Sequence, residues 1–362
     1  MKRTVISILL ILIAAPAFAC TTVIVSAKAS ASGRPLMWKQ RDTGAEFNYL
    51  AFFPADEGRY SYTGVVNTAD TEKESVWCGS NEVGFSVMNA MSYGLSPLVT
   101  DDRPYEGIVM KRALEICRTV SDFEEYIKSL PRPNGLESNF GVIDAEGGAA
   151  YFEVHDYGFT RFDVADAPSG YLIRSNWSVS GRKGEGKGYD RYDVAAAKMK
   201  AHTGGFTAEW IIDKLGRDPL IARSKTVNSV VFEGVGAGDP VNSTLIWAVM
   251  GYTPYAFVLP AWVAAEGLFP APLGENGRSA QNELSNSALR RYGDIEPRIA
   301  LTARQRRLID AVRAEESLVA GWIRSADRLF RAGEGSPEAL EELNGKLEAE
   351  FGRFEREYGV SD

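Results

Sequence analysis

The sequence predicts an α+β fold in which sheets are covered by helices. Three observations carry this: β-branched runs separated by short turns, a helical block inserted among them, and a strongly helical tail. After Cys20 the chain reads Thr-Thr-Val-Ile-Val-Ser, a strand pattern; Gly33-Arg34-Pro35 turns it, and residues 36–39 form a second strand. Residues 60–67 and 75–78 follow as strands. Asn81-Glu82-Val83-Gly84 is a turn that leads into a strand at 85–89. Apolar residues then recur at helical spacing over 106–129, with a second helix opening at Ser121-Asp122 and a stop at Pro131-Arg132-Pro133. Residues 139–143 and 149–154 flank Asp144-Ala145-Glu146-Gly147-Gly148 as a hairpin. A strand at 170–174, helices at 190–201 and 207–215, and strands at 229–233 and 244–250 complete the body. Beyond about residue 300 two helical stripes appear: Leu308, Val312, Leu318, Trp322, Ala326 and Leu329, then Leu340, Leu343, Leu347, Phe351, Phe354 and Tyr358. These helices are expected to pack on the body or on another subunit, so a homo-oligomer stays open.

The chain begins Met1-Lys2-Arg3, continues with an apolar run over 5–15 and reaches Ala17-Phe18-Ala19 before Cys20. A basic start, a short apolar stretch and a small-x-small ending form the pattern of a secretory signal peptide. The run falls short of the roughly 20 apolar residues that a spanning helix needs. The expectation is a signal peptide at 1–19, a main domain at 20–300 and a helical segment at 301–362. The mature protein would be periplasmic or secreted and not membrane-spanning, with Cys20 as its first residue.

Lys and Arg number 40 against 48 Asp and Glu; without residues 1–19 the balance is 38 against 48, a side-chain net of −10. That excess argues against nucleic acid and against anionic membrane surfaces as partners. The two histidines, His155 and His202, form no ligand-spaced cluster, and no Cys-x-x-Cys occurs, so neither a zinc site nor a His-based triad is expected. No phosphate-loop or other cofactor motif is present; the glycine-rich stretch 181–188 reads as a mobile loop. Of the three cysteines, Cys78 and Cys117 could pair or could be buried thiols.

A cysteine at a chain terminus carries its own base. Its thiol must become a thiolate to attack, and the free α-amine, with an ordinary pKa of about 7.7–8.0, can take the proton. Histidine is then unnecessary. A cysteine after a signal peptide is also where a lipid is attached in lipoproteins, and a lipid would block both thiol and amine. Phe18 fits that signal poorly, and Thr21 onward enters a strand directly where a lipoprotein would have a flexible tether.

Five stretches in order carry a family resemblance. They are Cys20-Thr21-Thr22-Val23-Ile24-Val25 with Lys39-Gln40-Arg41-Asp42, Asn81-Glu82-Val83-Gly84-Phe85, Asn139-Phe140-Gly141-Val142-Ile143-Asp144, Ile173-Arg174-Ser175-Asn176-Trp177 and Tyr189-Asp190-Arg191-Tyr192. Together they resemble the Cys-type N-terminal nucleophile (Ntn) hydrolases, nearest to the acyl-coenzyme A:6-aminopenicillanic acid acyltransferase (peptidase C45) family, with choloylglycine hydrolases and penicillin V acylases as relatives. The likeness spans residues 20 to about 260 and implies a four-layer αββα sandwich. It implies Cys20 as nucleophile, Asp42 as the aspartate that orients amine and thiol, and Asn176 as an oxyanion donor. It implies Arg191 as an arginine that holds the site together and Asn89 as a further oxyanion contributor. Lys39 stands where bile salt hydrolases carry arginine.

The function this implies is cleavage of a small-molecule amide through a thioester on Cys20, by hydrolysis or by acyl transfer. The rivals are a dipeptidase of the C69 group, which shares the Cys-Thr-Thr opening, and a non-catalytic surface lipoprotein. Trp38, Phe47, Tyr49, Phe52, Phe53, Tyr93 and Trp177 could line an acyl pocket or fill the core.

Overall fold

The computed structural model describes residues 19–95 and 105–359; residues 1–18, the expected signal peptide except for its last position, lie outside these. The chain opens with β1 (Ala19–Val25) and β2 (Leu36–Asp42). It continues through β3 (Asn48–Phe53), β4 (Tyr62–Asn67), β5 (Cys78–Asn81) and β6 (Ser86–Met91). Helices α1 (Tyr105–Ile116) and α2 (Val120–Ser129) precede β7 (Ser138–Ile143), β8 (Ala149–His155), β9 (Gly158–Asp163) and β10 (Tyr171–Arg174). Then come α3 (Tyr189–Ala201), α4 (Ala208–Lys214), β11 (Thr226–Glu233), β12 (Leu245–Met250) and β13 (Leu259–Trp262). Helices α5 (Ala280–Tyr292), α6 (Ala303–Arg331) and α7 (Pro337–Tyr358) end the chain.

The strands form two antiparallel sheets, one of six strands in the order β10-β1-β2-β11-β12-β13 and one of seven in the order β3 to β9. β1 faces β6, and β2 faces β7, across the space between the sheets. Helix α1 packs on β5 and β6, while α3, α4 and α5 pack against β10, β11 and β12 of the other sheet. The architecture is a four-layer α+β sandwich, helix-sheet-sheet-helix. It explains why β1 reads as an unbroken β-branched run: a strand covered on both faces has no solvent side to make polar. The sheets approach closely at Gly141, where a Cβ would lie 2.8 Å from Met88 Cε and 3.1 Å from Ile24 Cδ1.

Two apolar clusters hold the layers. One contains β1, β2, β11 and β12 together with the helices on their sheet; the other lies between the seven-stranded sheet and α1 and α2. Cys78 belongs to the first and Cys117 to the second, and both are free buried thiols. Helix α2 starts earlier than the expected Ser121-Asp122. Thr119 is the N-cap, and Asp122 closes its capping box.

Helices α6 and α7 share the first cluster with the body through Leu308, Val312, Val319, Ile323, Leu340 and Leu347. The α6 stripe differs from the sequence expectation, for Leu318 and Leu329 are exposed. Two buried acids occupy its core-facing line, which hides the true phase. Asp327 receives Arg34 Nη1 at 2.9 Å, and Glu315 receives Arg353 Nη2. Among the described residues no helix is long and apolar enough to cross a membrane.

Candidate active site

The site lies at the open end of the first hairpin. In the β1–β2 pairing Cys20 stands opposite Arg41, Thr22 opposite Lys39, Thr21 opposite Gln40 and Ala19 opposite Asp42. Directly opposed residues of an antiparallel pair share a face, and successive residues alternate faces. Thr22 fixes which face is which: its Oγ1 accepts from Tyr151 Oη at 2.9 Å, and Tyr151 is on β8 of the other sheet. Cys20, Thr22, Lys39 and Arg41 therefore point into the space between the sheets. Thr21, Gln40 and Asp42 point to the helices.

Asn176 and Arg191 clamp the start of β1. The backbone N–H of Cys20 donates to Asn176 Oδ1 at 2.9 Å. Arg191 Nη2 donates to the same oxygen at 2.6 Å, and Arg191 Nη1 donates to Thr21 Oγ1 at 2.7 Å and to the Cys20 carbonyl. Two donors on one oxygen fix the orientation of the Asn176 amide. Its Nδ2 donates to the Met91 carbonyl at 2.6 Å, which leaves one Nδ2 hydrogen for another acceptor. Arg191 and Asn176 are both buried. Room for the guanidinium is made by Gly188, the residue before α3: its φ is +74°, and a Cβ there would lie 2.2 Å from Arg191 Nη2. The glycine-rich stretch read as a mobile loop thus ends in a residue that seats a buried arginine.

Lys39 is fully buried between the sheets. Its Nζ donates to the Trp77 carbonyl at 2.6 Å and to Asn89 Oδ1 at 2.7 Å, and Asn89 Nδ2 donates to Ser138 Oγ at 3.0 Å. Asn89 thus holds Lys39 as well as lying near the site. Burial pushes the Lys39 ammonium down to about 8, against the pull of Cys20. The unfolded chain keeps that proton up to about 10.5, so it binds more protons than the folded one between about 8 and 10.5, and stability rises with pH in that window. Wild type should therefore gain about 1 kcal/mol on Lys39→Met when urea denaturation is compared at pH 7 and pH 9. An unchanged gap would mean that burial does not weaken the Lys39 ammonium.

Asp42 lies on the helix face. Its carboxylate accepts from Thr226 Oγ1 at 2.7 Å and Arg223 Nη2 at 3.2 Å; burial raises its pKa, and Arg191 opposes the rise. No hydrogen bond joins it to Cys20 among the described residues; its cross-strand neighbour is Ala19. All six residues singled out in the sequence thus cluster at one end of β1: Cys20, Asn176 and Arg191 share hydrogen bonds, Lys39 and Asn89 share another, and Asp42 sits behind them.

Of the aromatic residues, Trp38 and Tyr49 are core. Phe47 is exposed, Phe52, Phe53 and Tyr93 are half-buried, and half-buried Trp177 stacks on Tyr189 with ring centroids 5.2 Å apart. Sequence reading missed Arg41, Trp77 and Glu106. Arg41 stands directly across from Cys20 with its guanidinium 4.4 Å from the Trp77 ring centre. The Glu106 carboxyl interacts with Lys39, and burial pushes it up to about 7. Strand alternation would have put Arg41 on the Cys20 face, but the ten-residue connection between β1 and β2 conceals the register. Among the described residues no group of three His, Cys, Asp or Glu side chains could hold a metal ion.

No protein-family model matches the chain, and no curated protein matches it in sequence. Among solved structures it is similar to a Caenorhabditis elegans ortholog of N-acylethanolamine-hydrolyzing acid amidase, at 16% identity over 59% of this chain and 92% of that one, with a TM-score of 0.45. It is similar to a mutant of the conjugated bile acid hydrolase of Clostridium perfringens, at 12% identity over 68% of this chain and 92% of that one, with a TM-score of 0.46. It is also similar to penicillin V acylase from Agrobacterium tumefaciens, at 12% identity over 68% of this chain and 86% of that one, with a TM-score of 0.44.

Proposed function

We propose that the mature chain, beginning at Cys20, is an exported Ntn amidohydrolase of the peptidase C45 type. The observation that carries this reading is the clamp on the Cys20 nitrogen: Asn176 Oδ1 accepts from it at 2.9 Å and is itself held by Arg191. Cutting after Ala19 turns that nitrogen into an α-amine without moving its partner. The same cut vacates the position opposite Asp42, where an ammonium would meet a carboxylate. Cys20 is only 6% exposed and Ala19 already lies in β1, which favours a free, folded-in terminus over a lipid-bearing tether.

In the reaction the amine takes the Sγ proton, and the thiolate attacks the amide carbonyl carbon. The remaining Asn176 Nδ2 hydrogen and a backbone N–H stabilise the oxyanion; one such donor lowers the barrier by about 3 kcal/mol. The ammonium returns its proton to the departing nitrogen as the C–N bond breaks and leaves a thioester. Water, activated by the same amine, then releases the acid; an acceptor amine in its place makes the enzyme an acyltransferase.

The test is a panel of conjugated bile acids, penicillin V, N-acylethanolamines, N-acyl amino acids and dipeptides, assayed with the mature chain and its Cys20→Ala variant, after intact mass has established the terminus. Turnover of an amide that depends on Cys20 is expected. Turnover confined to dipeptides would favour a dipeptidase, and a lipid adduct on Cys20 would rule out the mechanism.

A further inference from the structure

Two cations lie buried on the Cys20 face of the β1–β2 hairpin, and neither has a carboxylate partner within ion-pair distance among the described residues. Lys39 is bound to a backbone carbonyl and to Asn89. Arg41 is 2% exposed, and its Nη1 donates to Asn48 Oδ1 at 3.1 Å and Asn67 Oδ1 at 2.8 Å, both neutral amides. The Trp77 ring face gives Arg41 further compensation. Burying a guanidinium without an anion is costly, and a site that keeps two such groups side by side calls for a negative charge between them.

The groups facing the pair narrow the choice of that charge. Cys78, on β5 across the gap, interacts with both cations, but burial pushes its thiol up to about 11, so it stays protonated. Glu106 reaches Lys39 alone, and with its carboxyl near 7 it is about half charged at neutral pH. Tyr93, which interacts with Cys20, is raised above the ordinary phenol range by burial. Arg191 interacts with Cys20 from the helix side of β1. Cys20 is the remaining candidate, directly opposite Arg41 and felt by both cations.

We propose that Arg41 is a positioning residue for the nucleophile: with Lys39 it supplies the counter-charge that holds the Cys20 sulfur as thiolate once its proton has passed to the α-amine. The two cations are not equivalent. Lys39, at about 8, loses charge as the medium turns mildly alkaline, whereas Arg41 is lowered only to about 10 and keeps its charge. Arg41 is thus the constant member of the pair.

The proposal rests on Cys20 as the nucleophile, and its test is independent of amide turnover. Iodoacetamide alkylation of Cys20 in the mature protein is followed by intact mass from pH 5.5 to 9.5, with the label mapped to distinguish Cys20 from Cys78. Arg41→Gln is expected to slow alkylation about tenfold at pH 6.5, with the gap closing at alkaline pH, and Arg41→Lys is expected to restore most of the rate. Asn67→Asp provides the same test without removing the arginine. It places a carboxylate where Asn67 Oδ1 now meets Nη1 and should slow alkylation in the same pH-dependent way; it decides the matter if Arg41→Gln does not fold. A pH profile that superposes on wild type in Asn67→Asp, or a slowing by the same factor at every pH, overturns the proposal. A displaced profile in a protein that cleaves no amide would sustain the charge pairing and reject the proposed function; amide turnover with an undisplaced profile would do the reverse.

Discussion

Replacing Cys20 with alanine should abolish amide turnover in the mature chain, by about a thousandfold or more, and leave the fold almost untouched. The kinetic loss is large because the proposed route runs wholly through this sulfur, and removing a nucleophile costs as much as dismantling its whole catalytic unit. The structural loss is small because what Cys20 gives the fold comes from its backbone. Its N–H goes to Asn176, its carbonyl takes Arg191, and its pairing with Arg41 is a β-ladder contact. Alanine keeps all three and removes one sulfur, which costs about 1 kcal/mol of packing; losing the charge that Lys39 and Arg41 share adds to this, so the thermal midpoint falls modestly while the fold is kept. The check is kcat/KM on the best panel substrate beside the thermal midpoint. A variant that retains a tenth of the wild-type rate sinks the mechanism. The chain that still carries Ala19 should be as inactive as Cys20→Ala, because its nitrogen is an amide without basicity. Activity in that form would show that the proton goes elsewhere.

The elements legible in the sequence were those whose two faces tell the same story. β1, β8 and β12 are rich in apolar, β-branched or aromatic residues, β2 opens on Leu36-Met37-Trp38 and β7 carries Phe140, Val142 and Ile143; the hairpin at Asp144 to Gly148 carries its own turn chemistry, for Asp144 Oδ1 accepts from Glu146 N and Gly148 N. Elements with conflicting signals were lost. β13 contains Pro260, which argues against a strand, yet it is the edge strand of its sheet, where proline is tolerated. β9 alternates weakly because it is the exposed edge of the other sheet. Helix α5 buries Gln281, Asn282, Ser285 and Asn286, so its inward face is polar and no apolar stripe marks it.

The same physics separates the legible part of the site from the rest. Cys20, Asn176 and Arg191 belong to motifs with a recognisable order, although the contacts joining Cys20 to the other two span more than 150 residues of chain. Arg41 lies within the Lys39-Gln40-Arg41-Asp42 stretch, but the resemblance gives it no role. What makes it notable is a missing partner, and a missing partner is visible only once the neighbours are placed.

Arg191→Met carries the second large expected effect, and it should fall on activity and stability together. One guanidinium serves the Cys20 carbonyl, Thr21 Oγ1 and Asn176 Oδ1, all buried. Methionine fills similar volume but donates nothing, and each buried acceptor left alone costs about 1–3 kcal/mol. Some of that returns through relaxation and through release of the desolvated charge. A net loss of about 2–4 kcal/mol in urea denaturation is the expectation. The kinetic effect follows from the same contacts. Without Nη2, Asn176 is held at its oxygen by the Cys20 nitrogen alone, and its remaining Nδ2 hydrogen is no longer aimed. Losing one aimed oxyanion donor lowers kcat by about 100-fold or more. Asp42 would also lose the positive charge that most opposes its burial, so its pKa should rise further. Arg191→Lys separates charge from geometry: it keeps a cation near Asp42 but cannot reach three acceptors from one planar group. It should recover part of the stability and little of the rate. Arg191→Met within tenfold of wild-type kcat would show that the clamp on β1 serves the fold alone.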